Sequence, residues 1–125
     1  MSEPAYYVSV DATASTDGSA VAPAFSDGWI LKGDILQSIV VEPLTDPSTG
    51  AVRAFFGATE VPGGNFTYIW KTAATDPGRR PGWYGRFVAP RNLKVFLSCS
   101  GRNATATTHR ATACVITGNP ALRFF

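Results

Sequence analysis

The run Trp83–Thr117, WYGRFVAPRNLKVFLSCSGRNATATTHRATACVIT, carries the densest β signal in the chain. Leu93, Val95, Leu97 and Cys99 alternate with Lys94, Phe96, Ser98 and Ser100, the period of two that marks a strand with two unlike faces. The run reads as a strand over Tyr84 to Val88, a Pro-Arg-Asn turn, and a long antiparallel hairpin with arms Leu93 to Ser100 and Arg110 to Thr117. Both faces of that hairpin carry apolar residues. A sheet with one wet face should be polar there, so the second face is expected to be covered by another sheet, the C-terminal tail or a neighbouring subunit.

Outward from this run the same grammar repeats. Tyr6 to Val10, Ile35 to Glu42, Val52 to Ala58 and Asn65 to Thr72 are β-prone, and Phe25 to Leu31 holds a turn leading into a short strand. Between them stand turn sequences: Thr45-Asp-Pro-Ser-Thr-Gly50, Val61-Pro-Gly-Gly64 and Asp76-Pro-Gly-Arg-Arg-Pro-Gly82, where Pro pre-sets φ and Gly permits the bend. Phe66, Tyr68 and Trp70 would line one face of their strand. No helical period is sustained. About eight short strands in 125 residues predict one all-β domain, an antiparallel β-sandwich or a jelly-roll-like fold. Residues 1–24 read as an N-terminal strand and extended arm, 25–118 as the sandwich body, and 119–125 as a tail. The arm, Asp11 to Ala24, is built of small residues with little reason to order alone.

Composition narrows the function classes. The chain has 11 basic and 9 acidic residues, a net charge of +2, too small to imply a nucleic-acid or acidic-membrane partner. Met1-Ser2-Glu3-Pro4 lacks the basic and apolar regions of a secretory signal, and no run is long and apolar enough to span a membrane. A cytosolic origin is therefore expected, and the sequons at Asn65 and Asn103 are read as chance matches.

Candidate chemistry is sparse. Cys99 and Cys114, set symmetrically about the loop Gly101 to His109, could face each other and be bridged, but a cytosolic origin favours buried free thiols. Two cysteines and one histidine do not complete an ordinary zinc site. His109 stands among Thr107, Thr108 and Arg110 with no nucleophile turn elsewhere, and is read as a loop or interface residue rather than a base. The carboxylates sit mostly beside Gly or Pro, as turn caps. No catalytic, cofactor-binding or metal-binding residue is assigned, and no small-molecule substrate is expected. Arg79-Arg80-Pro-Gly-Trp83-Tyr84-Gly-Arg86 interleaves cations and aromatics. It fits a stacking platform for single strands or sugars, a protein–protein anchor, or a loop whose Trp plugs the sandwich.

The small-residue arm Asp11 to Ala24, the strand-turn-strand Arg86-Phe-Val-Ala-Pro-Arg-Asn-Leu-Lys-Val-Phe-Leu and the aromatic tail Leu122-Arg-Phe-Phe together resemble the small structural proteins of tailed-bacteriophage virions, the capsid decoration or cement type. The resemblance implies a non-enzymatic protein, assembled in the host cytoplasm, that binds the major capsid protein or other virion subunits as a homo-oligomer, with a trimer favoured. The partner-binding residues would be Tyr6, Tyr7, Arg79, Arg80, Trp83, Tyr84, Leu122, Phe124 and Phe125. The alternative is a carbohydrate- or receptor-binding module of a phage tail or spike, stacking sugars on Trp83, Tyr84 and Trp29.

Overall fold

A computed structural model describes residues 4–44, 52–61, 66–75, 80–102 and 106–118. The turns at 45–50 and 62–64, most of the Asp76–Gly82 loop, both sequon asparagines and the tail from 119 onward lie outside them. Eight strands form: β1 (Ala5–Thr13), β2 (Ala24–Phe25), β3 (Ile35–Pro43), β4 (Val52–Thr59), β5 (Thr67–Thr75), β6 (Gly82–Val88), β7 (Lys94–Gly101) and β8 (Thr108–Ile116). There is no helix among the described residues.

The strands make two four-stranded sheets, β1-β8-β3-β6 and β2-β7-β4-β5, with every pairing antiparallel. Four nested pairs, β1 with β8, β2 with β7, β3 with β6 and β4 with β5, alternate between the sheets. That nesting is the wrap of a jelly roll.

Alternation builds the core, interrupted in β3 by a bulge between Leu36 and Ser38. Val8, Val10 and Ala12 of β1, His109, Ala111, Ala113 and Val115 of β8, and Leu36, Ile39 and Val41 of β3 point inward from one sheet. Val52, Ala54, Phe56 and Ala58 of β4, with Val95, Leu97 and Cys99 of β7, meet them from the other. Bulky Phe56, Leu36 and Leu97 are offset by alanines at Ala54, Ala58, Ala111 and Ala113, all buried in the same core. Each buried Leu, Ile, Val or Phe contributes roughly 1.5–3 kcal/mol, the main favourable term holding the layers together.

The expected hairpin between Leu93–Ser100 and Arg110–Thr117 is not formed. β7 pairs with β4 and β2, β8 pairs with β1 and β3, and the link between them crosses from one sheet to the other. Alternation looks the same in either arrangement, because the inward face of a strand is apolar whichever sheet it joins. Cys99 consequently stands beside Ala54, and Cys114 beside Tyr7 and Ser38, in opposite layers. Both are free thiols. The outer face of β7 is covered, as expected, but from within its own sheet: Phe96 is buried against Phe25 and Phe55.

The free arm is also corrected. Asp11 to Thr13 complete β1, and the segment that follows lies along its own body. Ala14 N–H donates to Thr107 O (2.8 Å), Gly18 N–H to Gly101 O (2.7 Å), and Ser98 Oγ to Val21 O. Gly18 is required there by its backbone, with φ at +80° and the Arg102 side chain 2.7 Å from where a Cβ would stand. Asp17 caps a turn in the expected way, accepting from Ser19 N–H at 3.0 Å.

Candidate functional site

The residues singled out in the sequence separate onto different surfaces. Tyr6 turns inward. Its phenol donates to the carboxylate of Asp34, which also accepts from Gly118 N–H (3.0 Å), so a buried acid ties β1 to the ends of β3 and β8. Asp34 therefore does more than cap a turn. Tyr7 points outward and is 70% exposed, as is Tyr84. The pairings Tyr7–Cys114, Cys114–Ser38 and Ser38–Tyr84 put both tyrosines in one row across the outer face of the first sheet. Three strand spacings separate them, roughly 14 Å. Trp83 faces the other way and packs on the core. It does not join Tyr84 or Trp29 in a single stacking platform.

A second row on the same face is charged. Arg110 binds Asp11 with two hydrogen bonds, of 2.7 and 3.1 Å, and pairs in register with Glu42 on its other side. Arg80, exposed, stands 4.0 Å from Glu42. The Arg110 guanidinium, by hydrogen bonding first and by charge second, holds Asp11 below the usual carboxylate range. Arg79, Leu122, Phe124 and Phe125 lie outside the described residues.

The outer face of the second sheet extends the aromatic stripe expected on one strand across three others, which the sequence reading missed. Phe25, Phe96, Phe55 and Trp70 form a continuous chain of ring contacts, with centroids 6.5, 5.2 and 5.7 Å apart. Phe25 and Phe96 are sheltered, but the strip opens toward β5, where Trp70 is 64% and Phe66 61% exposed. A shallow apolar depression of about 270 Å³ lies between Phe55, Thr67 and Trp70. The expected stripe of Phe66, Tyr68 and Trp70 is broken by a β-bulge: Ala58 faces Ile69 while Thr59 faces Thr67, leaving Tyr68 as the extra residue. Tyr68 swings onto the core and Phe87, at 6.0 Å between ring centroids. Opposite Trp70 stands Gly57, where a Cβ would lie 1.8 Å from the Ile69 carbonyl oxygen, so no side chain fits under the bulge.

The titratable candidates are interior. His109 is a core residue of β8, not a loop residue. Its Nε2 lies 3.0 Å from Thr107 Oγ1, its Nδ1 has no hydrogen-bond partner among the described residues, and burial lowers its pKa. Burial pushes the Cys99 thiol up to about 12, which leaves it chemically inert. Among the described residues no three His, Cys, Asp or Glu side chains gather in a way that could hold a metal ion.

One concavity stands apart from both outer faces. At the end of the sandwich near Asp34, three connections converge: the segment between β2 and β3, the residues after β4, and the turn before β7. Trp29, Lys32, Glu60, Arg91 and Asn92 border an open cleft of about 700 Å³ there.

No protein-family model and no curated protein matches this chain.

Proposed function

We propose that the chain is a non-enzymatic structural protein of a virion, a decoration-type subunit that binds neighbouring capsid subunits and acts as a homo-oligomer, with a trimer as the favoured state. The observation that carries this reading is the aromatic strip on the outer face of the second sheet. Trp70 and Phe66 project from a rigid double-layered body, and Phe55 and Phe96 back them. Large aromatic side chains left in water on a folded surface mark contact sites with other proteins, since Trp and Tyr dominate the energetic centres of such contacts. The jelly-roll wrap agrees with it, being a common architecture of capsid-associated domains, though lectin domains use it as well.

In this reading the strip is the principal contact face and the Tyr7–Tyr84 row a second one on the opposite sheet. A subunit with two such faces can touch a shell on one side and a sister copy on the other. The segment from Asn119 to Phe125, with Leu122, Phe124 and Phe125, adds apolar surface for the same partners. The arm contributes nothing, because it is used within its own body. The protein would then reside in the virion after assembly in the host cytoplasm.

The test is direct. The purified protein is sedimented over a concentration series, alone and with empty shells of the virus that encodes it. Self-association together with saturable binding to shells is expected. A protein that stays monomeric and leaves shells bare overturns the proposal.

A further inference from the structure

The end cleft supports a different activity from assembly. The geometry points to a binding site for an acidic saccharide, a pyranose chain bearing carboxylate or sulfate groups, seated against Trp29.

The walls are preorganised. Ile30 and Leu93 exchange backbone hydrogen bonds of 2.8 Å each, Gly33 N–H donates to Ala89 O (2.8 Å), and Lys32 N–H donates to Asn92 Oδ1 (2.9 Å). These bonds lock the Trp29 and Lys32 wall to the turn carrying Arg91 and Asn92, so little ordering is left for a ligand to impose. The cleft, at about 700 Å³, is large enough for two or three sugar rings.

The chemistry inside it matches a sugar's two kinds of surface. The Trp29 indole is 41% exposed and borders the cleft, and an indole is a flat apolar surface suited to the C–H side of a pyranose. The Lys94 ammonium lies over one face of the ring, 4.7 Å from its centroid, and holds the indole in place, so the sugar would stack on the other face. Around it stand planar polar groups suited to adjacent hydroxyls. Glu60 takes a hydrogen bond from Arg91 Nη1 (3.1 Å) and one from the Tyr68 hydroxyl (3.4 Å), which fixes its carboxylate. Asn92 has its oxygen committed to Lys32 N–H, which leaves its amino group as the donor it can offer a ligand. Charge sets the class of saccharide. Arg91 at the cleft is paired with Glu60, which leaves Lys32 as the uncompensated charge of the lining, with the Lys94 ammonium over the Trp29 ring, a surplus of positive charge that favours an anionic sugar over a neutral one.

Calorimetric titration of the full chain with three oligosaccharides tests this: tetragalacturonate for the carboxylate, a heparin-derived tetrasaccharide for the sulfate, and neutral cellotetraose. At least one acidic probe should bind, at least about tenfold more tightly than cellotetraose, and more weakly as salt rises. Trp29→Ala should weaken that binding by about tenfold or more. Asn92→Asp, which keeps the acceptor for Lys32 N–H but removes the donors, should weaken it similarly without touching the fold. It stands as the deciding variant if Trp29→Ala fails to fold by circular dichroism. Equal binding of neutral and acidic probes, acidic binding that Asn92→Asp leaves unchanged, or no binding of any probe overturns the assignment.

Discussion

Replacing Trp70 by Ser separates an assembly surface from a structural one. A tryptophan side chain covers about 200 Å². With 64% of Trp70 in water, roughly 130 Å² is available to a partner, which at about 25 cal/mol/Å² corresponds to about 3 kcal/mol of association. That is about two powers of ten in affinity. The folded monomer loses less, since Trp70 is mostly in water and its ring contact with Phe55, at 5.7 Å between centroids, is worth about 1 kcal/mol. Sedimentation equilibrium and urea denaturation of wild type and variant measure the two numbers side by side. The expected result is association weakened about 100-fold with stability lowered by about 1 kcal/mol. Association unchanged within about threefold, with stability down by more than about 2 kcal/mol, would refute the reasoning and make Trp70 a lid on its own sheet.

His109 should make the protein acid-sensitive. Burial depresses its folded pKa, so the stability held by the neutral ring is complete above the ordinary value of 6.5 and erodes as pH falls below it toward the folded value. Urea midpoints at mildly acidic and neutral pH should diverge in wild type and draw together in His109→Leu. Cys114 should react with iodoacetamide in the native protein while Cys99 reacts only after unfolding, as peptide mapping would report; rapid native labelling of Cys99 would contradict its burial. Deleting residues 119–125 should abolish self-association and shell binding yet leave the β-sheet circular dichroism intact, and a truncated chain that assembles normally excludes the tail as a contact.

Most strands were legible because alternation is a local property. β3, β4 and β6 fall close to their expected runs, since Pro, Gly and Asp clusters mark where each ends. Partner choice was not legible. The inward residues of β7 and β8 look alike whether the strands share a ladder or face each other across the core, and only the nested long-range pairing settles which. The bulge at Tyr68 was hidden for a related reason. Nothing in Asn65 to Thr72 announces an extra residue, while Gly57, which makes room for it, sits on the neighbouring strand. The arm was misread because small residues were taken as a sign of disorder, whereas the segment is held by backbone hydrogen bonds from Ala14 and Gly18 to distant strands and connections, which no local pattern announces. The aromatic strip was spread over four strands, so no single stretch displayed it. The cleft was visible only as Trp29, its polar rim coming from three separate connections.

β8 lies between β1 and β3, and its pairing with β1 joins positions such as Thr13 and Thr108, 95 residues apart in the chain. It is also the last of the eight strands to be synthesised. Until it emerges from the ribosome, the first strand has no neighbour and its sheet has a missing centre, so partial products cannot mature piecemeal. Translation that stops short of Thr108 leaves bare, sticky edges that invite aggregation or proteolysis. The topology thus makes the first sheet's assembly wait on residues 108–116, the shared partner of β1 and β3.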